Sequence, residues 1–538
     1  MNSVENKSFA LPYLPFLLRW VLPLALGAGI LVFLIAKSLK MQITCDESYT
    51  VEILTKVPVR DLITYKSSYT NNHILNTLLV KFLFWAFNSF DHSLARLPNI
   101  LAFVAYFYYC LRFSQRYITD NWVSLMFVAV MCCNPYLLDF FALIRGYGLS
   151  IGLMMGSIYF AARYVLDNYA KGLTISVLLS VLSVYAQFAT LHFYLGINLL
   201  IVLRLIKNYI QSQKNVESIS FFGQSPKNET PPSLLRANQA KKYSDSQNKG
   251  NKAFFYGIGV QFLGVLLLTA LIYLPIKAII RDNQIAYYGT EGFWGSTLAS
   301  LIKGSLYSET YFRNEQTIPI FKFLTIVLFF LLTAFIAYSF GEKTVEKLEK
   351  TYPSVFASIL FFSTAFSVIA QFHLLGNQYV VDRTALFFYP LLAMLMPIVP
   401  LFFGRFKQGV STFVAILFIA FSVNHIKRTN TLTSYREWWY DVHTYEIMDM
   451  MQQEYAKSDP KQPIKFTTYW FFCPSFTYHQ AKAEANYMEK IKYHSQIDTV
   501  NVYDFYYTVQ DEVPLLKAKY DVVKEWDYRQ WVLLKRKK

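Results

Sequence analysis

Residues 73–90 read HILNTLLVKFLFWAFNSF, and the fold depends on whether this stretch crosses a membrane. The run is apolar, but four polar residues interrupt it: His73, Asn76, Lys81 and Asn88. A spanning helix needs about 20 mainly apolar residues, whereas an amphipathic helix can lie in the membrane interface. The choice sets the orientation of the rest of the chain, because one extra span moves every later loop to the opposite side.

The distribution of positive charge decides whether 73–90 spans the membrane or lies on its surface. If the N-terminus is inside and 73–90 lies on the surface, the polar segment 204–253 and four short connections are cytoplasmic. The connections carry Arg112 and Arg116, Arg163 and Lys171, Lys343, Lys347 and Lys350, and Arg405 and Lys407. This arrangement follows the positive-inside tendency. We therefore predict that 73–90 is an interfacial amphipathic helix.

The remaining long apolar runs indicate a polytopic α-helical membrane protein. The chain has 538 residues, of which 54% are hydrophobic and 18% aromatic. We predict eleven spans, at roughly 17–37, 95–112, 121–136, 147–165, 172–189, 191–206, 254–274, 318–340, 353–373, 385–403 and 409–425. The net charge of +16 lies mainly between these runs, which argues against a nucleic-acid partner and for a lipid bilayer.

The pattern divides the chain into two domains. Residues 1–425 form a transmembrane domain, and residues 426–538 form a small extracytoplasmic α/β domain with a helix at 440–457, a strand at 465–472 and a strand pair at 520–535. Within the first domain we expect three special segments. They are a first outer loop at 38–94 with amphipathic helices, a disordered cytoplasmic linker at 207–252, and an outer lid-like loop at 275–317.

Two adjacent carboxylates, Asp46 and Glu47, follow the first span by about ten residues. Anions are poor membrane anchors, but a carboxylate beside a lipid surface can take a proton from an acceptor. Adjacent side chains diverge in a helix or a strand, so the two acids do not share one proton position. We assign Asp46 as the base and expect Glu47 to orient a neighbour or the acceptor. Alternatively, the two acids have no catalytic role and form the solvated N-terminus of a helix.

Other polar groups lie at span ends on the predicted outer face. Those considered as substrate ligands are His73, Asp139, Arg145, Tyr147, His192 and Arg383. Sugar transfer from a polyprenyl phosphate needs a base, cations for the departing phosphate and an apolar groove for the lipid, and this set meets that list. Snorkelling arginines and a satisfied interfacial His192 are the alternatives. Aromatic residues of 281–317, which include Phe293 and Trp294, are either interface anchors or part of a lid that stacks on sugars.

Several motifs resemble one group of membrane enzymes. Asp46-Glu47 follows the first span, Asn71-Asn72-His73 leads the surface helix, residues 94–99 read LARLPN, and Arg145-Gly146-Tyr147 opens a span. Over about the first 200 residues the chain is similar to the GT-C membrane glycosyltransferases, in particular the bacterial protein mannosyltransferase and aminoarabinose-transferase-like group. In many relatives an acidic residue lies within the second-loop motif, whereas here Asp139 lies six residues before Arg145.

The resemblance implies an inverting glycosyltransferase of the bacterial inner or plasma membrane, with its active site on the extracytoplasmic side. It implies a polyprenyl-phosphate sugar donor, Asp46 as general base, and donor or acceptor contacts near Asp139 and Arg145. The acceptor stays open between protein, lipid and glycan. No cofactor is required, and a metal at Asp46, Glu47 and His73 lacks a recognised ligand spacing. The competing hypotheses are a transporter or lipid-linked glycan flippase, and a scaffold subunit.

Overall fold

The computed structural model describes residues 13–66, 71–222, 233–284, 289–306, 319–320, 322–327, 329, 345–400, 408–458, 460–470, 472–483, 485–494, 497–526 and 531–537. Within these residues, seven helices are long and apolar enough to cross a membrane. They are Leu14–Lys40, His92–Tyr117, Gly146–Asp167, Phe188–Gln213, Gly250–Arg281, Pro353–Leu375 and Gly409–Thr429. Each of them contains most or all of one predicted span.

The other four predicted spans differ from single long helices. Asn121–Cys132 and Pro135–Phe141 are two helices bent by 61°, because Asn134 caps the second helix and Pro135 cannot continue the first. Ala170–Ala186 and Phe388–Pro400 are apolar but shorter than a full span. Most of 318–340 lies outside the described residues. Counting the bent pair as one span gives up to eight spans in the described chain, fewer than the eleven expected.

The bent pair also changes the surroundings of the segment that precedes Arg145. Every residue of Pro135–Phe141 is buried, so this segment is a helix inside the bundle and not an exposed loop. Its apolar residues join the main core, where Phe141 packs against Phe103 and Tyr106 at ring-centroid distances of 5.4 Å. Asp139 is thereby carried into the interior with them.

The first outer loop contains helices, as predicted. They are Cys45–Glu52, the 3₁₀ turn Leu54–Lys56, Val59–Ile63 and Ile74–Phe87. The helix in the contested stretch has 14 residues, which corresponds to about 21 Å and is too short for a hydrocarbon core of about 30 Å. Its polar Asn76 and Thr77 are buried, whereas Phe82 and Trp85 are 58% and 79% exposed. The helix is therefore amphipathic, with its polar side turned into the protein.

The structure of the predicted linker at 207–252 differs from the expectation. The assigned helices Leu191–Phe222 and Ser233–Arg281 extend through most of 207–252, so the predicted disordered linker is helical on both sides of residues 223–232, which lie outside the description. The helix breakers Gly223, Pro226, Pro231 and Pro232 all fall within 223–232, and Gly250 is the glycine of the two helical parts of 207–252. Gln213 bonds Asn251 across the two helices at 2.9 Å.

The described part of 275–317, predicted to be a lid-like loop, packs against the helix bundle. Gly289 and Tyr379 exchange two backbone hydrogen bonds of 3.2 and 2.9 Å. A π-helical turn, Phe293–Leu298, then leads into helix Ala299–Leu306. Phe293 and Trp294 pack into the core against Phe388 and Phe329, because their apolar rings gain more from burial there than at a surface. The tyrosines at 287, 288, 307 and 311 lie outside the described residues.

The C-terminal part is a small α/β domain. Its strands are β1 (Phe466–Tyr469), β2 (Lys492–His494), β3 (Phe505–Val509), β4 (Tyr520–Trp526) and β5 (Trp531–Arg536). They form one sheet in the order β2-β1-β3-β5-β4, parallel from β2 to β3 and antiparallel from β3 to β4. Its helices are Thr444–Lys457, Cys473–Lys482 and Val513–Leu516. The predicted fold class, a polytopic helical membrane protein with a C-terminal α/β domain, is confirmed.

Candidate active site

The helix Cys45–Glu52 places the two adjacent acids in different surroundings. Thr44 caps it: its hydroxyl accepts the Glu47 N–H at 3.4 Å, while the Glu47 carboxylate accepts the Thr44 N–H at 2.9 Å. This capping box satisfies two backbone donors that a helix start otherwise leaves unpaired. Because Asp46 and Glu47 are consecutive on the helix, Glu47 points into the protein and Asp46 points away from it.

Glu47 holds the first outer loop together. It is fully buried, as is Arg96, whose guanidinium donates to the two Glu47 oxygens at 2.8 and 2.7 Å. Arg96 also donates to the carbonyl oxygens of Ser38, Met41 and Gln42. Although burial alone would raise the pKa of Glu47, the Arg96 charge and hydrogen bonds lower it. Glu47 is not among the residues that line the cavity, so the structure gives it a positioning role rather than contact with a substrate.

Asp46 faces a cavity and lies between two arginines. Its Oδ2 is 3.4 Å from the Arg145 Nη2 and 3.4 Å from the Arg383 Nη1. The same oxygen is buried and has no hydrogen-bond partner. Arg145 precedes helix Gly146–Asp167, and Arg383 lies in the 3₁₀ turn Asp382–Ala385. Three predicted residues from three separate loops thus converge on one point.

The sequence Arg145-Gly146-Tyr147 fits a tight place beside His73. A side chain at Gly146 would overlap the Ala186 carbonyl oxygen and lie 2.8 Å from the His73 Cβ, so only glycine fits there. Tyr147 packs edge-on to His73, with ring centroids 4.9 Å apart. Burial, reinforced by the Arg145 charge, lowers the pKa of His73 well below its ordinary value, so this ring is neutral at pH 7. Both rings line the cavity.

A segment that the sequence reasoning missed completes the site. Residues 435–441, here called the post-span segment, follow the last span and return to the first outer loop. Glu437 lies 3.6 Å from Arg383 and accepts a hydrogen bond from Tyr136. Burial raises the pKa of Glu437, and Arg383 opposes that shift. A signal was present in the sequence, since residues 434–441 read SYREWWYD, an unusual density of aromatic and charged residues just after a span.

Asp441 joins the same segment to the Asp46 helix. Its carboxylate accepts the Cys45 N–H at 2.9 Å and the Ser475 hydroxyl at 2.7 Å, which ties the start of that helix to the C-terminal domain. Asp441 is buried, and this burial raises the pKa of its carboxyl group well above the ordinary value of 3.8.

We expect Asp441→Ala to destabilise the protein and Asp441→Asn to preserve it. Alanine leaves the Cys45 N–H and the Ser475 hydroxyl unpaired, at a cost of about 1–3 kcal/mol for each group. Because the pKa of Asp441 is raised on folding, the wild type loses stability as pH rises above 3.8 toward that raised value. Asparagine does not titrate in this range, so the stability of Asp441→Asn relative to the wild type should increase toward neutral pH. Thermal unfolding followed by tryptophan fluorescence at pH 5 and pH 8 measures both effects, and an Asp441→Ala protein as stable as wild type would contradict them.

Asp139 is placed away from the cavity. Its carboxylate accepts hydrogen bonds from the Lys37 ammonium at 2.5 Å and from the Arg436 N–H at 2.9 Å. Both oxygens are therefore engaged within the protein, and the side chain anchors the post-span segment to the first span. The structure does not bring Asp139 to the predicted donor or acceptor contact, because the bend at Pro135 turns its helix into the core.

The cavity around Asp46 has a volume of about 1670 Å³ and two different walls. On one side lies the apolar groove, formed by exposed residues of three spans: Leu195, Leu199, Ile280, Phe366, Leu374 and Leu375. His192 lines the cavity near this groove, where its Nδ1 bonds the Ser367 hydroxyl at 2.9 Å. Among the described residues, no group of three His, Cys, Asp or Glu side chains is arranged to hold a metal ion.

Fold and site together define a polytopic membrane protein with a charged cavity where its helix bundle meets a C-terminal α/β domain. No protein-family model and no curated protein matches the chain. Its fold is similar to that of ArnT, an aminoarabinose transferase from Cupriavidus metallidurans, in the apo state (11% identity, TM-score 0.44, 95% of this chain and 97% of that one). The same protein bound to undecaprenyl phosphate gives 12% identity, a TM-score of 0.43 and the same coverage.

A second similar structure is the archaeal oligosaccharyltransferase AglB from Archaeoglobus fulgidus, in complex with an inhibitory peptide and a dolichol-phosphate. It has 10% identity and a TM-score of 0.36, and the match covers 90% of this chain and 69% of that one. The proteins found are of the kind to which the sequence resemblance pointed. Likeness at this level concerns the fold alone, so the function is argued from the geometry of the site.

Proposed function

We propose that this protein is an inverting glycosyltransferase that moves a sugar from a polyprenyl-phosphate donor to an acceptor hydroxyl at the extracytoplasmic face of the membrane. The observation that carries the proposal is the Asp46 carboxylate, which lines the cavity and has one oxygen that lies 3.4 Å from each of two arginines but accepts no hydrogen bond. A carboxylate oxygen that has no hydrogen bond to give up is available to accept a proton from an acceptor hydroxyl.

The reaction is a single displacement. The acceptor oxygen forms a bond to the anomeric carbon while its proton passes to Asp46. On the opposite face of the sugar, the bond between that carbon and the phosphate oxygen breaks, and its electron pair leaves with the polyprenyl phosphate. Phosphate is a good leaving group when cations stabilise it, so no strong general acid is needed.

Arg145 and Arg383 are the cations that we assign to the departing phosphate. A guanidinium presents several N–H donors in a plane and suits phosphate oxygens. At 3.4 Å from Asp46, neither is held by a close hydrogen bond to that acid, so a phosphate can compete for both. Asn71 and Glu437 keep the two arginines in place from behind. The apolar groove beside them suits the hydrocarbon chain of the donor, since its side chains are exposed in the absence of lipid.

The proposed orientation rests on the two ends of helix Gly146–Asp167. Arg145 marks the end nearest the cavity, and Asp167 lies about 33 Å away at the other. There, Arg116 and Arg163 bind Asp167 at 2.5 and 2.9 Å. Arg116 and Arg163 are among the positive residues that favour a cytoplasmic location for the Asp167 end of the helix. The cavity at the opposite end of this helix is then on the extracytoplasmic side.

We expect Arg383→Ala to lower transfer from a polyprenyl-phosphate sugar by about 10²–10³-fold, the effect of removing one donor that stabilises a developing anion. The measurement is release of undecaprenyl phosphate from radiolabelled undecaprenyl-phosphate sugars by the purified protein in lipid nanodiscs, with candidate protein, lipid and glycan acceptors present. Arg281→Ala is the matched control, because Arg281 is exposed, pairs with Asp282 and does not line the cavity. Equal rates for Arg383→Ala and the control would make Arg383 a structural residue, and no release by the wild type from any such donor would overturn the proposed function in favour of transport.

A further inference from the structure

Part of the cavity lining differs in chemistry from the apolar groove. It is formed by residues of helix Cys45–Glu52 and of the C-terminal domain, and we call it the Trp470 wall: Ser48, Tyr49, Glu52, Trp470, Pro474 and Thr477. Asp46 lines the same cavity and lies on the same helix as Ser48 and Tyr49. An acceptor bound at the Trp470 wall therefore shares the cavity with Asp46.

The indole of Trp470 is 56% exposed although it lines a cavity. A large aromatic ring left uncovered in a concave site is a typical ligand platform, since burying it on binding is favourable. It is flanked by groups that bond hydroxyls, namely the Thr477 hydroxyl, the Tyr49 phenol and the Glu52 carboxylate. A flat apolar face beside hydroxyl and carboxylate groups matches the surface of a sugar ring, which has apolar C–H faces and a rim of hydroxyls.

The charge of the wall argues against a phosphorylated acceptor. Among the described cavity residues there is no lysine, and the arginines are Arg145 and Arg383, which flank Asp46. The Trp470 wall itself carries no basic residue, and its acidic Glu52 is paired with Lys56, which does not line the cavity. Phosphate is bound most strongly by cationic groups, and the side-chain N–H donor of this wall is the neutral indole of Trp470. A neutral acceptor fits.

The backbone of the wall argues against an extended peptide. Trp470 follows β1, which is paired on one side with β2 and on the other with β3. The remaining wall residues are in the helices Cys45–Glu52 and Cys473–Lys482, whose backbone groups bond within the helix. Peptides that bind in extended form take main-chain hydrogen bonds from a free strand edge, and these wall elements offer no such edge. Recognition here must depend on side chains, as it does for sugars.

We propose that the Trp470 wall binds a sugar ring of a neutral glycan acceptor, stacked on the indole with one hydroxyl directed to Asp46. The proposal rests on the proposed function, since it names the acceptor class of that reaction. It assigns the C-terminal domain a direct part in choosing the acceptor.

The test is saturation-transfer NMR on the full-length protein in nanodiscs, with maltose, cellobiose, lactose, chitobiose and a Ser/Thr hexapeptide as separate probes. We expect at least one disaccharide to give a signal from its ring protons. Trp470→Ala should weaken binding of that disaccharide about fivefold to tenfold, whereas Trp470→Phe keeps most of it, because stacking of this kind contributes about 1 kcal/mol. Trp85→Ala is the matched control, since Trp85 is 79% exposed but lies away from the cavity.

Three outcomes overturn the proposal: no disaccharide signal, an equal signal in Trp470→Ala, or a Trp470-dependent signal from the peptide alone. Asp46→Asn separates this proposal from the proposed function. It should still bind the disaccharide, because the indole and not the base holds the ring. Normal transfer by Asp46→Asn would refute the mechanism while leaving a Trp470-dependent disaccharide signal intact.

Discussion

Asp46→Asn should lower the initial rate of sugar transfer by about 10²–10⁴-fold, the usual contribution of a general base. Asparagine has the volume of aspartate but cannot take the acceptor proton. The substitution removes one negative charge beside Arg145 and Arg383, but Arg383 keeps its pair with Glu437 and Arg145 keeps its contact with Asn71. The loss should therefore appear in kcat, with the protein still folded and still able to bind the donor.

Asp61→Asn is the control for this prediction. Asp61 lies in the same outer loop and is also paired with a cation, Lys66, at 3.7 Å, but it does not line the cavity. Its replacement should leave the rate near that of the wild type. The measurement is the initial rate with undecaprenyl-phosphate sugars at saturating donor. If Asp46→Asn and Asp61→Asn proceed at the same rate, Asp46 is not the base.

Glu47→Gln should destabilise the protein by about 3–5 kcal/mol, the cost of leaving one partner of a buried ion pair uncompensated. Each oxygen of Glu47 accepts two hydrogen bonds. One takes the Arg96 Nε and the Ile144 N–H, and the other takes the Arg96 Nη2 and the Thr44 N–H. A glutamine turns one of these oxygens into an NH₂ group that faces two donors, whichever way the amide is placed.

The pH dependence of this effect has a definite sign. Because the pKa of Glu47 is lowered on folding, its contribution to stability is complete above about 4.5 and declines as pH falls below that value. The stability difference between wild type and Glu47→Gln should therefore shrink in acid. Thermal unfolding at pH 7 and pH 4 tests it. Asp521→Asn, which removes an exposed pair with Lys537, is the control and should change stability by about 1 kcal/mol or less. A Glu47→Gln protein as stable as this control would contradict the assigned role.

The elements that sequence reasoning placed correctly are those with a strong local signal. Of the eleven spans predicted from long apolar runs, seven correspond to helices of spanning length in the described residues, and the terminal strand pair of the α/β domain was recognisable from alternation. The bend at Pro135 was missed because an apolar run looks the same whether its helix is straight or broken. The prediction of disorder at 207–252 differs from the helices assigned there, since polar composition alone does not exclude a helix.

For the site, sequence reasoning identified the members of one charge cluster but not their partners. Asp46, Arg145 and Arg383 were predicted because each is a charged residue at a span end, where burial is costly without a purpose. Glu437 and Asp441 were missed because their role depends on the post-span segment folding back to a loop some 400 residues earlier. The distinction between Asp46 and Glu47 also needed three dimensions, since only the positions of Arg96 and Ile144 show which acid is enclosed.

The hydrogen bond between the Cys45 N–H and Asp441 joins residues 396 positions apart in the chain. While the protein is being synthesised, the Asp46 helix is made early, but Asp441 and Ser475 emerge only after the last span. The growing chain therefore holds the Asp46 helix for most of its synthesis without the groups that orient it. Contacts between such distant residues form late in folding. The proposed site is consequently complete only once the C-terminal domain has docked.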